Sequence, residues 1–388
     1  MHAVDRRMLL RTGGSLAAVG MLGACATPPP PPAPILRGPR LPPIRAEVDR
    51  LFDLTVCLRP FRAQGPRIEA EQVGRKTIVH NYGHGGSGWS LSWGSATLAL
   101  RIALAGNPKT LAVVGCGALG ITTAILAQEA GLKVTICARD LLLDARSARA
   151  TGSFTPDSRI ALTDKAAPGF GEMWEEMTRI SFKRYRRYLG LPGDPVVWSD
   201  RYYLGDPPDR PAPPVPSPAL DFMELRSRVR DIMPHSVEMA DEESPFPGHK
   251  VRRNATMTFN IADYGHTLIG DFLARGGRIE RREFRVLSEL ATLREDVVVN
   301  CTGYGARALC KDESVVPVRG QIGWLIPQPE VTYGLFYKDI GVVSRSDGIV
   351  VQDLAGGDMR GYGDDNETID RAESVNAVET LAGLFRRA

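Results

Sequence analysis

The chain has 388 residues, of which 43% are hydrophobic and 24% charged, with 48 basic side chains against 45 acidic ones. That length gives about two domains and a large buried core. The formal net charge of +3 makes no electrostatic case for a nucleic-acid partner. There is no internal repeat and, after the first 30 residues, no apolar run of the length that spans a membrane.

The chain opens on a segment that does not read as part of a fold. Arg6 and Arg7 precede Leu9 and Leu10, and a short apolar stretch ends at Leu22-Gly23-Ala24-Cys25. An amphipathic first helix is one reading. Paired arginines closed by LGAC instead resemble a twin-arginine export signal ending in a bacterial lipobox, with Cys25 as the lipidated residue. On that reading residues 1–25 are the signal, and the protein is periplasmic or otherwise exported. It would meet a membrane only through the anchor at Cys25. The proline-rich residues 26–45 then read as an extended tether. Five further cysteines (Cys57, Cys116, Cys137, Cys301, Cys310) form no CxxC pair, and their odd number gives no disulfide framework.

Next come CLRPFR at 57–62 and HNYGHGGSGWSLSWGS at 80–95, which holds five glycines. His80 and His84 lie four apart, but the glycines disfavour a helix and no HExxH accompanies them, so no metal is expected. A second glycine turn follows within KTLAVVGCGALGITTAILAQEAGLKVTIC. Thr110 to Val114 is a β-branched apolar run that predicts a buried strand. Gly115, Gly117 and Gly120 form GxGxxG, a helical pattern runs from Ile121 to Glu129, and Lys133 to Cys137 predicts the next strand. This strand–turn–helix–strand unit binds a dinucleotide. Its glycines serve the tight turn, the approach of backbone to pyrophosphate and close helix–strand packing, with the phosphates at the helix N-terminus around Ala118 and Leu119. The acidic residue expected to grip a ribose hydroxyl is displaced. CARD stands there, so Asp140, beside Arg139, serves from one or two places along, or the ribose is recognised otherwise. This weakens an NAD assignment more than a flavin one.

Further on, DPPDRPAPPVPSP at 206–218 reads as an irregular excursion. DVVVNCTGYGARAL at 296–309 is an apolar strand running into Thr302-Gly303, and PVRGQIGW follows at 317–324. Together, CLRPFR, HNYGHGGSG, NCTG and RGQ resemble the D-amino-acid oxidase family of flavoproteins, over most of the chain from about residue 50. The order differs from that family's, in which GxGxxG opens the chain and the HNYGHGG block closes it. The sequence therefore reads as a circular permutant, with residues 103–110 joining a formerly C-terminal helix to a formerly first strand.

The resemblance implies an α/β fold. A Rossmann-type FAD-binding domain is expected over 76–160 and 254–312. A second, α+β substrate domain with a mainly antiparallel sheet is expected over 46–75, 161–253 and 313–388. It implies FAD held by Gly115, Gly117, Ala118, Leu119, Gly120, Arg139, Asp140, Thr302, Gly303, Arg319 and Gln321. Gly85, Gly86, Ser87, Gly88 and Trp89 would offer N–H groups to the flavin ring, with the Ser90 hydroxyl beside them. Catalysis falls to Arg59, which would fork onto a substrate carboxylate, and to the donor at Gly86. Arg59 also has a bland reading, as a surface arginine beside a proline. Where the family places two tyrosines on the substrate, this chain has Val343 and Asp347 or Gly348, with Ser344, Arg345, Tyr333 and Tyr337 as stand-ins. Ser153 and Phe154 fall on the family's pocket-lining segment.

The implied activity is FAD-dependent oxidative deamination of D-amino acids. The alternatives are oxidation of another amine on the same fold, or ligand binding without oxidase activity; an NAD-dependent dehydrogenase is the third reading. Oligomeric state is left open. Replacing Arg6 and Arg7 with lysine is expected to retain the precursor in the cytoplasm, and Cys25→Ala to abolish membrane association. Cell fractionation checks both, and unchanged distributions would refute the export signal.

Overall fold

The computed structural model describes residues 40–386. The export signal, Cys25 and most of the proline-rich tether lie outside the described residues. In chain order the strands and helices begin with β1 (Leu51–Phe61), β2 (Arg67–Val73), β3 (Lys76–Tyr82), α1 (Gly88–Ala103), β4 (Thr110–Val114), α2 (Ala118–Glu129) and β5 (Lys133–Ala138). They continue with α3 (Phe170–Tyr185), β6 (Val196–Leu204), β7 (Val237–Glu238), β8 (Val251–Phe259), α4 (Ile261–Ala274), β9 (Arg278–Arg281) and β10 (Val297–Asn300). The last are α5 (Ala306–Leu309), β11 (Val316–Leu325), β12 (Gly334–Tyr337), β13 (Ile340–Arg345), β14 (Gly348–Asp353) and α6 (Arg371–Phe385).

The strands form two sheets. The smaller has the order β2-β3-β10-β4-β5-β9. It is parallel throughout except where β2 folds back on β3 as a hairpin. Its inner strands are buried on both faces, and Val297 to Asn300 reads as an uninterrupted buried run, as a parallel sheet between helices requires. The larger sheet runs β1-β11-β14-β13-β12-β6-β8-β7 and is antiparallel apart from the β12–β6 pair. The molecule is thus an α/β fold with mixed sheets.

Two strands lie in the sheet opposite to the one expected from the sequence. β2, placed with the substrate domain, joins the parallel sheet because the tight Gly74 turn pairs it along the length of β3. The first few residues of 254–312 fall differently too. β8 pairs along its whole length with β6 in the larger sheet, and only the chain from α4 onward returns to the parallel one. Residues 206–218 form neither helix nor strand.

One glycine, Gly94, sets how closely α1 and α3 approach. Helix α1 leads through a 3₁₀ turn at Leu104–Gly106 and a left-handed Asn107 (φ 51°) directly into β4, the central region of the parallel sheet. On its way α1 crosses α3 so closely that a Cβ on Gly94 would overlap the Met177 backbone, while the Gly94 N–H donates to Ser181 Oγ at 2.8 Å. Because the obstacle is backbone, it cannot move aside. Gly94→Ala is expected to destabilise the fold by about 1–3 kcal/mol, read as a lower urea midpoint at unchanged m-value.

Candidate active site

The carboxyl ends of β3, β10, β4 and β5 open onto one long cleft that is also walled by β1 and β11. At the β4–α2 turn, Gly115 has φ +103°, and a Cβ there would lie 2.5 Å from the Cys301 carbonyl. A Cβ on Gly120 would overlap the Gly115 carbonyl oxygen, so this glycine lets α2 rest on β4 and does not itself line the cleft. Gly117, Ala118 and Leu119 do line it, at the start of α2, where unpaired amides favour a phosphate. The Ala118 N–H donates to Ser147 Oγ at 3.1 Å. Ser147 sits in a 3₁₀ turn, Arg146–Arg149, which arches over the helix N-terminus and which no motif in the sequence flagged.

At one end the cleft is bounded by Arg139, Asp140 and the segment Arg282–Phe284 that follows the edge strand β9. Arg139 pairs with Asp140 at 2.8 Å and with Glu283 at 3.5 Å. Hydrogen bonds from that guanidinium hold the Asp140 carboxyl below the usual carboxylate range. A carboxylate of the kind that accepts from ribose hydroxyls thus stands two residues past Ala138, the last residue of β5. Thr302, Gly303, Tyr304 and Gly305 form the floor after β10.

At the other end stand Gly85, Gly86, Gly88 and Trp89 opposite Arg59, Pro60, Gly320 and Ile322. The 83–88 loop is braced on residues 158–159. The Gly86 N–H donates to the Ser158 carbonyl at 2.9 Å, and Cβ atoms on Gly85 and Gly86 would overlap Arg159 O and Ser158 Oγ. This corrects two expectations, since Gly86 lines the cleft but its amide is already engaged. Ser87 and Ser90 are turned away as well. Ser87 Oγ donates to Ser158 O at 3.1 Å, and Ser90 Oγ accepts from the Thr155 amide at 2.8 Å. His84 is buried beside them. Its Nε2 meets Ser95 Oγ at 2.7 Å, and its Nδ1 is enclosed without a partner. Burial lowers its pKa to about 3, so the ring is neutral. His80 lies outside the cleft, between Glu71 (3.0 Å) and Asn300 (3.2 Å).

Arg59 projects from β1 into the cleft. Its guanidinium lies on Gly320, where a Cβ would overlap it, and Nη1 reaches only the Arg319 carbonyl, at 3.3 Å. Among the described residues no carboxylate lies within 4.0 Å of it. Burial pushes its pKa down from the ordinary value. A cation that is costly to desolvate and has no counter-ion is complete only with an anion bound. Arg319 and Gln321 behave otherwise than expected. The Arg319 guanidinium donates to the carbonyls of Asn366 and Thr368, each at 2.8 Å. Gln321 exchanges hydrogen bonds with Asp370, 2.6 Å and 2.7 Å, so both side chains tie down the segment before α6 and neither lines the cleft.

The stand-ins for the missing tyrosines are also committed elsewhere. The Tyr333 hydroxyl donates to Pro42 O at 2.8 Å, Ser344 Oγ donates to Val331 O, and Tyr337 is buried in the core of the larger sheet. Arg345 is paired with Asp347 and donates to Ala150 O at 2.7 Å, while Val343 packs with Ile322, Trp324 and Val350. Cys57, the first residue of CLRPFR, lines this end together with three residues that no motif revealed, Arg146, Arg149 and Thr151. The Cys57 thiol is pushed up by burial and is therefore protonated, although three arginines surround it.

A parallel sheet, a glycine turn at a helix N-terminus and a cleft running from an acidic ribose position to an unpaired arginine define a dinucleotide-binding protein with an adjoining small-molecule site. The family model described as "DAO: FAD dependent oxidoreductase" matches residues 110–387, and the chain belongs to that family. FAD is the cofactor that follows, and the side-chain-free turn of Gly115 and Gly117 and the orphaned His84 Nδ1 fit it. The chain is 28% identical over 220 residues to a D-amino-acid oxidase of Dictyostelium discoideum, covering 55% of this chain and 57% of that protein. It is 30% identical over 213 residues to a D-amino-acid oxidase of Rubrobacter xylanophilus, covering 54% and 57%. The chain thus spans little more than half the length of these relatives. An iminodiacetate oxidase from Chelativorans sp. BNC1 superposes with a TM-score of 0.48 at 12% identity, over 71% of this chain and 78% of that one.

His84 gives the site a pH signature. Its pKa is depressed from about 6.5 to about 3 on folding, so below pH 6.5 only the unfolded chain takes up the proton. Stability is unaffected above that value and falls by about 1.4 kcal/mol per pH unit from 6.5 towards 3. His84→Gln is expected to flatten this part of the curve in denaturant titrations at pH 4–7, and an unchanged slope would reject the assignment.

Proposed function

We propose that the protein carries out FAD-dependent oxidative deamination of D-amino acids. Arg59 carries this reading. It is a half-buried guanidinium with no carboxylate partner, in the same cleft as the dinucleotide turn, and it suits a substrate α-carboxylate. FAD, when bound, supplies the acceptor for the two electrons and the Cα hydrogen, which pass on to O2 as peroxide while water releases the keto acid and ammonium. The protein's own part is positioning. Arg59 holds the carboxylate, Gly320 leaves room for the guanidinium, and the wall of Pro60, Ile322 and Trp89 excludes water. No side chain here is poised as a general base, since the His84 ring sits with its Nδ1 enclosed and Cys57 is protonated.

A second reading, oxidation of another amine by the same site, is favoured by one observation. The positions of the family's two substrate tyrosines hold Val343 and the Asp347-Gly348 turn, and the nearby hydroxyls of Tyr333 and Ser344 bond backbone carbonyls. The substrate pocket therefore has its own shape.

We infer two further features. The first is that the chain is a circular permutant of its family. The reading is supported by the short turn from α1 into β4, by the position of β3 beside β10 in the parallel sheet, and by a family match that starts at Thr110, the first residue of β4. The second is export with a lipid anchor at Cys25, which rests on the Arg6-Arg7 pair and the LGAC sequence.

Arg59→Ala is expected to leave flavin content near parental while anaerobic flavin bleaching by D-amino acids slows about a hundredfold, the equivalent of about 3 kcal/mol. Arg59→Lys restores only part, because an ammonium lacks the planar fork. Bleaching across a panel of D-amino acids, L-amino acids and simple amines separates the two readings, and parental rates in the alanine variant would move the anchor elsewhere.

A further inference from the structure

The larger sheet carries a second pocket that shares no lining residue with the cofactor cleft. The two are separated by the backbone of Gly152, whose carbonyl accepts from the Phe259 amide at 2.7 Å. Ser153 and Phe154, expected at the substrate, line this second pocket instead.

Its centre is Arg201 on β6, only 9% exposed. The stem of Arg201 lies flat over Gly334, where a Cβ would overlap Cδ. Nη2 donates to two hydroxyls, Ser153 Oγ and Thr258 Oγ1, each at 3.1 Å. Nε is enclosed with no partner. Among the described residues no carboxylate lies within 4.0 Å of this guanidinium, and burial pushes its pKa down to about 10. Asn254 is the direct cross-strand partner of Arg201 in the β6–β8 register, which places the two side chains on one face of the sheet. The Asn254 Oδ1 is also enclosed without a donor. Arg226, Arg230 and His235 stand at the rim, and the lining contains no Asp or Glu. Arg226 is paired with Asp157 at 3.1 Å, which lies behind it.

A buried cation and a buried acceptor, both unsatisfied and side by side, would each cost stability if nothing completed them. We propose that this pocket binds a small oxyanion that also carries a hydrogen-bond donor, as an amino- or hydroxy-carboxylate or a phosphate monoanion does. The oxyanion takes Arg201 Nη1, which among the described residues is neither hydrogen-bonded nor enclosed, and the positive field of the rim, and the donor satisfies Asn254 Oδ1. The site is separate from Arg59 and does not depend on which amine is oxidised.

The test is calorimetric titration of the FAD-loaded full chain carrying Arg59→Ala, so that the first cleft contributes little, with glycolate, acetate and inorganic phosphate as probes. Saturable binding of glycolate or of phosphate is expected, with acetate weaker than glycolate. Glycolate alone would identify a carboxylate ligand, and phosphate alone a phosphate ligand. Arg201→Lys should weaken the bound probe tenfold or more, and Asn254→Leu should erase the preference for glycolate over acetate. Arg230→Glu, at the exposed rim, should weaken binding about fivefold and decides the matter if the Arg201 variant does not fold. The proposal is overturned if neither glycolate nor phosphate binds, or if binding is indifferent to these arginines. Since heat of binding is read and not turnover, failure of the amino-acid oxidase reading would leave these outcomes standing.

Discussion

The structure depends on how closely two backbones approach at the end of the central parallel strand. The Gly115 carbonyl oxygen occupies the space where Gly120 would carry a Cβ, and Gly115 itself faces the Cys301 carbonyl where its own Cβ would be. These contacts seat α2 against β4 and bring the NCTG turn against the β4–α2 turn. The start of α2 is thereby aimed into the cleft and the floor of Thr302 to Gly305 is set beside it. Any side chain at either glycine would separate helix from strand, and strand from strand.

The same rule governs the 83–88 loop, although its partner differs. Gly85 (φ +53°) and Gly86 have no room for side chains because residues 158–159 lie on them, and those residues supply the carbonyl that takes the Gly86 amide. The two glycine-rich loops that lie so near each other in sequence are joined by one helix, α1, which runs from the first loop back to the foot of β4. The helix returns the chain to the opposite end of the sheet's strands, and β4 carries it forward again to the cleft. Proximity in sequence and convergence in space are thus two results of one helix–turn–strand passage.

Much of this was legible because it rests on residues with a single physical use. Glycines at 115, 117 and 120, the β-branched run 110–114 and the apolar run 297–300 admit few alternatives, and the elements formed there have nearly the expected bounds. The side-chain contacts were far less legible. Arg319 and Gln321 carry a family motif, yet their partners are carbonyls and amides of residues 366–370, about 50 positions away, which no local pattern announces. Ser147 and Arg146 reach the cleft from a 3₁₀ turn without periodicity. Edge strand β9, Arg-Ile-Glu-Arg, has no apolar alternation, so the contribution of Arg282–Phe284 was invisible. The second pocket depends on cross-strand register, which sequence alone does not provide.

Strand β11 links two of these features mechanically. The carbonyl of Arg319 is the hydrogen-bond partner of Arg59, while its guanidinium grips the carbonyls of residues 366 and 368. One residue therefore faces the small-molecule end of the cleft with its backbone and an outer segment with its side chain. A displacement of that outer segment would pull on the strand at Arg319, behind Arg59, and on cleft-lining Arg146 through its ion pair with Glu367. The segment works as a lever whose fulcrum is a β-strand, so substitutions far from the cleft can change how Arg59 is presented to it.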